Sequence, residues 1–304
     1  MIGHLSILLP SYNNECHRLV ASLAAQASAL AARRRLEYEI IVADDGSADR
    51  SAVAANRRID SLPHCRYIER RANSGRAVIR NFLARSAHYP WLVFADSDMS
   101  LRNDSFIANY LDMEAADVVY GGYTVGGDRS MYGHNLRYTY EARYEGNRRA
   151  SERMKHPYDD FHTSNFLIRR DIMLLHPLDE RFRRYGYEDV LFGKELRRNG
   201  IRITHIDNPL CFDDFETNSR FVAKTEEGIS TLCGFRDELR GYSGIISMAD
   251  RLKAAGLLKA AANVFRTFEK PIKNRLTGNN PSVLLFNIYK LGLYCDTLSR
   301  EGRQ

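Results

Sequence analysis

The hydrophobic positions change period repeatedly along the first 120 residues. A short apolar run at 4–10 predicts a buried strand. Leu19, Val20, Leu23, Ala24, Ala27 and Leu30 then recur at helical spacing over 15–31, with Asn13 or Asn14 available as a cap. Further strands are expected at 38–43, 66–69, 91–95 and 117–120, and helices at 47–59, 74–88 and 103–113 between them. Alternating strands and helices with short links imply an α/β fold, a mainly parallel sheet covered on both faces.

Beyond residue 120 the pattern changes. Residues 121–147 are polar and rich in Gly, Tyr and Arg, which predicts a mobile loop with a short helix at 137–144. A strand is expected at 165–168, a helix at 189–198 and a last strand at 201–206, and from residue 218 the chain reads as almost wholly helical. The expected division is a sheet domain over 1–217, with halves 1–120 and 121–217, followed by a helical extension over 218–304. No internal repeat or low-complexity linker interrupts it.

Ligands of an open parallel sheet bind at the carboxyl ends of its strands. The polar clusters fall at those ends: Pro10-Ser11-Tyr12-Asn13-Asn14 after the first strand, Asp44-Asp45-Gly46-Ser47 after the second, Asn73-Ser74-Gly75-Arg76 after the third and Asp96-Ser97-Asp98 after the fourth. Four polar turns on one rim predict a binding cleft. An apolar strand running straight into two acids suits a hard divalent cation, Mn²⁺ or Mg²⁺, which takes one or two carboxylates plus substrate phosphates. Capping of the following helix is the alternative use of Asp96, and helix capping is likewise the alternative for Asp44 or Asp45. Glu188-Asp189 opens a helix. A carboxylate there favours the helix amino terminus, and it can also serve as a general base.

Composition narrows the class. With 44% hydrophobic and 27% charged residues the chain is ordinary for a soluble globular protein, so bulk disorder is not expected. Five widely spaced cysteines, an odd number with no C-x-x-C pair, read as reduced thiols rather than a disulfide framework or zinc site. The start MIGHLSILLP has no basic leader and too short an apolar run to span a membrane, so a cytoplasmic location is expected. The net charge of +6 lies wholly in the tail: residues 1–240 carry 34 basic and 34 acidic side chains, residues 241–304 carry 10 and 4. That placement argues against a nucleic-acid partner and for an anionic surface, such as the inner face of a membrane.

Five segments, LSILLPSYNN, EIIVADDGSADRS, NSGRAVIRN, FADSDM and GYEDVLFGKELRRNG, resemble in this order the family 2 inverting glycosyltransferases of the GT-A fold, over roughly residues 5–218. The resemblance implies a nucleotide-sugar donor, a UDP-sugar, and a hydroxyl of a glycan or lipid-linked acceptor, in surface polysaccharide synthesis. It implies that Asp98, with Asp96, holds the metal on the diphosphate; that Asp45 accepts a hydrogen bond from uracil; and that Pro10, Tyr12, Asn13 and Ser97 line the nucleotide pocket. Gly75 would let the backbone approach the donor, and Arg76 and Arg80 would pair with pyrophosphate or an acidic neighbour. Asp189 would be the general base and Glu188 would orient sugar hydroxyls. His162 and Asp159-Asp160 lie where the acceptor could touch them.

One position departs from the family pattern: Phe212 stands where a metal-binding histidine is expected after the last strand. Asp213, Asp214 or water would then complete the shell, or metal dependence is weakened; His205 sits inside a strand and reads as structural. The tail carries an apolar stripe, Leu257, Leu258, Ala261, Val264, Phe265 and Phe268, beside Lys259, Arg266, Lys270, Lys273 and Arg275. It fits peripheral contact with an anionic membrane, packing on the sheet domain, or a homodimer. A catalytically silent nucleotide- or glycan-binding protein and a nucleotidyltransferase of related fold remain the alternatives. Neither the G-x-G-x-x-G turn of a dinucleotide dehydrogenase nor a basic Gly-rich loop of a nucleotidyltransferase follows the first strand.

Overall fold

Strand β1 (His4–Ser11) lies inside a seven-stranded sheet, between β2 (Glu37–Asp44) and the central β4 (Trp91–Ala95), with β3 (Cys65–Glu69) outside β2. These four strands are mutually parallel. The computed structural model describes residues 1–144 and 148–301. Beyond β4 the order continues through β8 (Asn165–Arg169), β6 (Val118–Tyr120) and β9 (Ile203–His205). Strand β8 runs antiparallel to both its neighbours, and β9 is parallel to β6. A second sheet of three short strands, in the order β5 (Met99–Ser100), β10 (Leu210–Phe212), β7 (Tyr123–Val125), stands beyond the ends of β4, β6 and β9 in the chain.

Alternation along β1 explains the two layers. Leu5, Ile7 and Leu9 face one core with Val20, Leu23 and Ala27 of the helix His17–Arg34; Leu8, Ile41 and Phe94 face the other, with Ala77, Leu83 and Phe192. Successive side chains of a strand point to opposite faces. Both faces are apolar, so the strand reads as the continuous hydrophobic run of a sheet covered on both sides. The expected α/β architecture, with helices following residue 218, is present.

Several local expectations are corrected. Neither Asn13 nor Asn14 caps the first helix; its cap is Cys16, whose N–H donates to Asn56 Oδ1 at 2.8 Å. The helix expected over 47–59 is a shorter helix, Arg50–Asn56, and a 3₁₀ turn, Arg57–Ser61. Asp49 caps it by accepting from Ser51 and Ala52, because Ser47 is bonded to Asp44 instead. Residues 121–144, expected as a loop with one helix, also hold β7 and the helix Arg129–Tyr132, while the helix Leu136–Tyr144 is where it was expected. Residues 145–147 of that expected loop lie outside the described residues.

The described residues form two compact units: 1–126, 148–183 and 188–214 make the first, and 127–144, 184–187 and 215–301 the second. The second is built on the helices Asn218–Gly234, Gly244–Ala254, Leu258–Thr277 and Val283–Glu301, around Leu136, Phe221, Phe265, Leu276, Phe286 and Tyr289. All five cysteines are free thiols. Among the described residues no helix is long and apolar enough to cross a membrane.

Candidate active site

The turn after β2 is a closed hydrogen-bond network. Asp44 accepts from Ser47 N–H at 2.8 Å and from its hydroxyl at 2.5 Å. Asp45, buried, accepts four bonds: from Arg70 Nη1 (2.9 Å), Ser74 Oγ (2.7 Å), Ser74 N–H (3.0 Å) and Gly75 N–H (2.9 Å). A carboxylate offers about four lone-pair directions, so this side chain is fully employed in holding residues 70–75. Gly46, at φ +72, lets that turn lie directly on residues 72–73, where a Cβ would meet the Ala72 carbonyl carbon at 2.5 Å. Ser47 Oγ in turn accepts from Asn13 N–H at 2.7 Å, and Asn13 Oδ1 accepts from Asp49 N–H. Asn14 Nδ2 donates to the Ser97 carbonyl at 2.6 Å, so the turns after β1, β2 and β4 are tied together. Pro10 is half-buried and Tyr12 is exposed beside them.

Gly75 precedes the helix Arg76–Ser86 at φ +95, and a Cβ there would meet the Phe182–Arg183 backbone at 3.1–3.4 Å, tighter than a side chain settles into without a shift. Asn81 in the same helix clamps Leu178, donating to its carbonyl at 2.9 Å and accepting from its N–H at 3.0 Å. The segment that leads towards Glu188 is therefore fastened to this helix at both 178 and 182–183.

Two acid pairs meet across that helix. Arg80 is only 3% exposed and its guanidinium pairs with Asp96; its Nη1 also donates to the Arg76 carbonyl at 3.3 Å. Arg76 Nη1 stands 3.8 Å from Glu188 Oε1. A second bridge runs through residues 162–164. Asp96 N–H donates to the Ser164 carbonyl at 2.8 Å, and His162 Nδ1 lies 3.0 Å from Asp189 Oδ2. Two residues span at most about 7 Å, so this bridge is short. Antiparallel pairing creates it: Ala95 at the end of β4 is opposite Asn165 at the start of β8, which delivers 162–164 to the rim where the acids sit.

The acids differ in environment. Glu188 is 4% exposed, its Oε2 has no hydrogen-bond partner, and its carboxyl is pushed above the usual range by burial, against the pull of Arg76 and with the push of Asp189. Burial also acts to raise Asp189, but the hydrogen bond and charge of His162, the Val190 N–H at 2.8 Å and Arg76 outweigh it and leave that carboxyl below the usual range. One group of the pair is held ionised and its neighbour is biased towards the protonated form. Ser164 Oγ is buried here without a partner. Asp98 is exposed, and Ser97 is buried beneath it.

Phe212 pairs in register with Met99, next to Asp98, and is buried. The side chain at the position expected for a histidine is thus apolar and adjacent to the acid pair. Asp213 Oδ2 is bonded to Ser100 Oγ and Arg102 Nη2, both at 2.8 Å, and Asp214 is exposed. Among the described residues no group of three or more His, Cys, Asp and Glu side chains could hold a metal ion. His205 is buried in β9, with Nε2 2.8 Å from the Pro157 carbonyl; burial, with Arg153 beside it, pushes it down to about 4. It is a neutral structural histidine.

Sequence reasoning missed Arg70 and Asn81, and it placed His162 on the acceptor side without its bond to Asp189. Asn81 stands inside the quoted NSGRAVIRN segment and was within reach; nothing in residue spacing joins His162 to a residue 27 positions later.

Residues 6–174 match the family model for Glycosyl transferase family 2. Curated relatives include a chondroitin synthase of Escherichia coli, 29% identical over 119 residues, and an uncharacterized glycosyltransferase of Haemophilus influenzae, 31% identical over 100 residues. These alignments cover 38% and 33% of this chain and 16% and 38% of the relatives' own lengths. Among solved structures, S. aureus TarS 1–349 in complex with UDP-GlcNAc superposes with a TM-score of 0.51 at 15% identity, covering 98% of this chain and 92% of that one. The mannosyltransferase PcManGT from Pyrobaculum calidifontis, in complex with GDP-Man and Mn²⁺, gives 0.53 at 15% identity, covering 99% and 87%. At such identities the likeness shows the fold, and the family match spans more than half of the chain. The chain belongs to glycosyl transferase family 2.

Proposed function

We propose that this chain transfers a sugar from a UDP-sugar to a hydroxyl of a glycan or lipid-linked acceptor, with inversion at the anomeric carbon, in the building of surface polysaccharide. The observation that carries the reading is the double bridge, through Arg80–Arg76 and through residues 162–164, that joins the Asp96–Asp98 turn to Glu188-Asp189. Nucleotide-sugars bound to the two superposable structures support a donor of that class.

In this mechanism Asp189, held ionised, accepts the acceptor's hydroxyl proton as the oxygen attacks the anomeric carbon. The bond from that carbon to the diphosphate oxygen breaks, and UDP leaves with the electron pair. Glu188 orients a sugar hydroxyl: its buried, unpartnered Oε2 costs on the order of 1–3 kcal/mol until something donates to it. Pro10 and Tyr12 wall the base, with Asn13 and Ser97 beside it. Asp45 acts by fixing the Ser74–Gly75 turn, and Arg76 adds positive charge near the leaving group.

The family implies a divalent cation, and the residues fit one of modest protein ligation. Exposed Asp98, with Asp96 beside it, would supply carboxylate oxygen, and the diphosphate and water the rest; the Phe212 side chain offers no ligand. A bound Mn²⁺ or Mg²⁺ would neutralise charge developing on the diphosphate.

The test is UDP release from a panel of UDP-sugars with and without Mn²⁺, with GDP-mannose as a control. Metal-stimulated release from one UDP-sugar is expected, with Asp98→Asn weakening metal-dependent UDP binding about tenfold. Phe212 favours one rival, a silent nucleotide-binding protein; UDP binding without turnover of any donor would establish it.

A further inference from the structure

The helix Leu258–Thr277 has two apolar faces. Phe265 and Leu276 are buried among Phe221, Phe286 and Tyr289, and the Phe265 ring seats against Gly292, where a Cβ would come within 2.3 Å. That face makes the core of the helical unit. The apolar residues read from the sequence as one stripe are therefore divided by the fold. Leu257 is 53% exposed, Val264 61% and Phe268 53%. Positions 257, 264 and 268 fall on one side of a helix, with Ala261 and Pro271 close to the same line. Leu284 and Ile288, one turn apart on the helix Val283–Glu301, are exposed as well.

Charge around this ridge is one-sided. Residues 251–281 contain seven lysines and arginines and a single acid, Glu269. Arg266 is paired with Asp296 at 2.5 Å and Lys273 with Glu226 at 2.6 Å. Arg251, Lys253, Lys259, Lys270 and Arg275 are exposed and have no acidic partner among the described residues. A second copy docking ridge to ridge would bring two sets of unneutralised cations together. An anionic lipid surface matches both features, since it takes up apolar side chains at the headgroup boundary and attracts the bases around them.

We infer that the exposed ridge Leu257–Val264–Phe268, with Arg275 on its line and Lys259 and Lys270 on the other exposed flank of the same helix, seats the chain on an anionic membrane surface. The contact is peripheral and salt-sensitive. It deepens the acceptor side of the proposed function, because a membrane-seated enzyme meets lipid-linked hydroxyls in two dimensions.

Flotation of the full chain with phosphatidylcholine vesicles, with and without 30% or so phosphatidylglycerol, tests this directly, at about that proportion as an ordinary anionic load. Binding to the anionic vesicles only, weakened by salt, is expected. Lys259→Gln, Lys270→Gln and Arg275→Gln together should lower partitioning about a hundredfold, since each base near an anionic surface is worth roughly fivefold. Val264→Ser with Phe268→Ser should lower it about tenfold or more, with an unchanged melting temperature because both sites are exposed. Failure of the wild-type chain to float overturns the inference. So does a dimer in solution that Val264→Ser with Phe268→Ser dissociates, which would assign the ridge to a second copy. UDP release measured with a soluble acceptor is independent of these outcomes, so a failed seat and a failed transferase reading are told apart.

Discussion

The turn after β2 and the start of the helix Glu188–Arg198 both carry two adjacent acids, yet they are built in opposite ways. Asp44 and Asp45 have their oxygens filled by Ser47, Arg70, Ser74 and Gly75. Glu188 is just as buried but keeps one oxygen unpartnered, and Asp189 spends its bonds on a histidine and its own helix. A satisfied buried network gives rigidity, and an incomplete one is where a ligand can gain energy by completing it. The first acid pair is spent on architecture, and the second is the one the proposed function uses for chemistry.

Asp189→Asn is the most severe way to sharpen that contrast. Removing a general base costs on the order of 10²–10⁴-fold, so turnover should fall about a thousandfold. UDP affinity and melting temperature should stay close to wild type, because the amide oxygen still accepts from Val190 N–H and the amide NH2 can donate to His162 Nδ1 in the neutral imidazole. Transfer at the wild-type rate would remove Asp189 from the mechanism.

The matching change at the other pair should act on stability first. Asp45→Ala leaves Arg70, Ser74 and two backbone N–H groups without their acceptor, at a cost of about 2–3 kcal/mol. Thermal unfolding would show this as a drop of several degrees. Weaker donor binding should follow from loosening of residues 73–75, in proportion to the stability loss. A variant that loses UDP binding while melting like wild type would show instead that Asp45 touches the nucleotide.

Much of this division is invisible in the sequence. The strands β1 to β4 and β6 were legible because apolar runs end in turn residues; the acids at 96 and 98 stood out because such a run leads into them, and those at 188 and 189 because they open a helix. The short strands β5, β7 and β10 escaped, since they pair only with one another, from segments far apart in the chain. So did the use of each acid. Asp44 and Asp45 are neighbours of one residue type; which partners fill them depends on Arg70 and Ser74, brought in by the pairing of β2 with β3. The division of the tail stripe into a packed face and an exposed one likewise rests on the docking of Phe265 against Gly292, a contact between residues 27 apart.

His162 offers the finest cut within the chemical pair. Burial alone raises Asp189, and the bond and charge of His162 are the chief forces that bring it below the usual carboxylate range. A group with a depressed value is charged, and active as a base, down to that lowered pH; activity is lost as pH falls through it. His162→Phe should therefore move the acid limb of the kcat profile to higher pH. At alkaline pH, where Asp189 is ionised in both proteins, the loss should be about tenfold or less, because the carboxylate left behind is the stronger base but is less well oriented. The donor KM should not change. His162→Gln can still donate to Asp189 Oδ2 without a positive charge, so it should restore the alkaline rate while recovering only part of the shift. An acid limb that stays in place in His162→Phe would reduce the histidine to a packing residue and leave Glu188 or Arg76 as the group that sets the base.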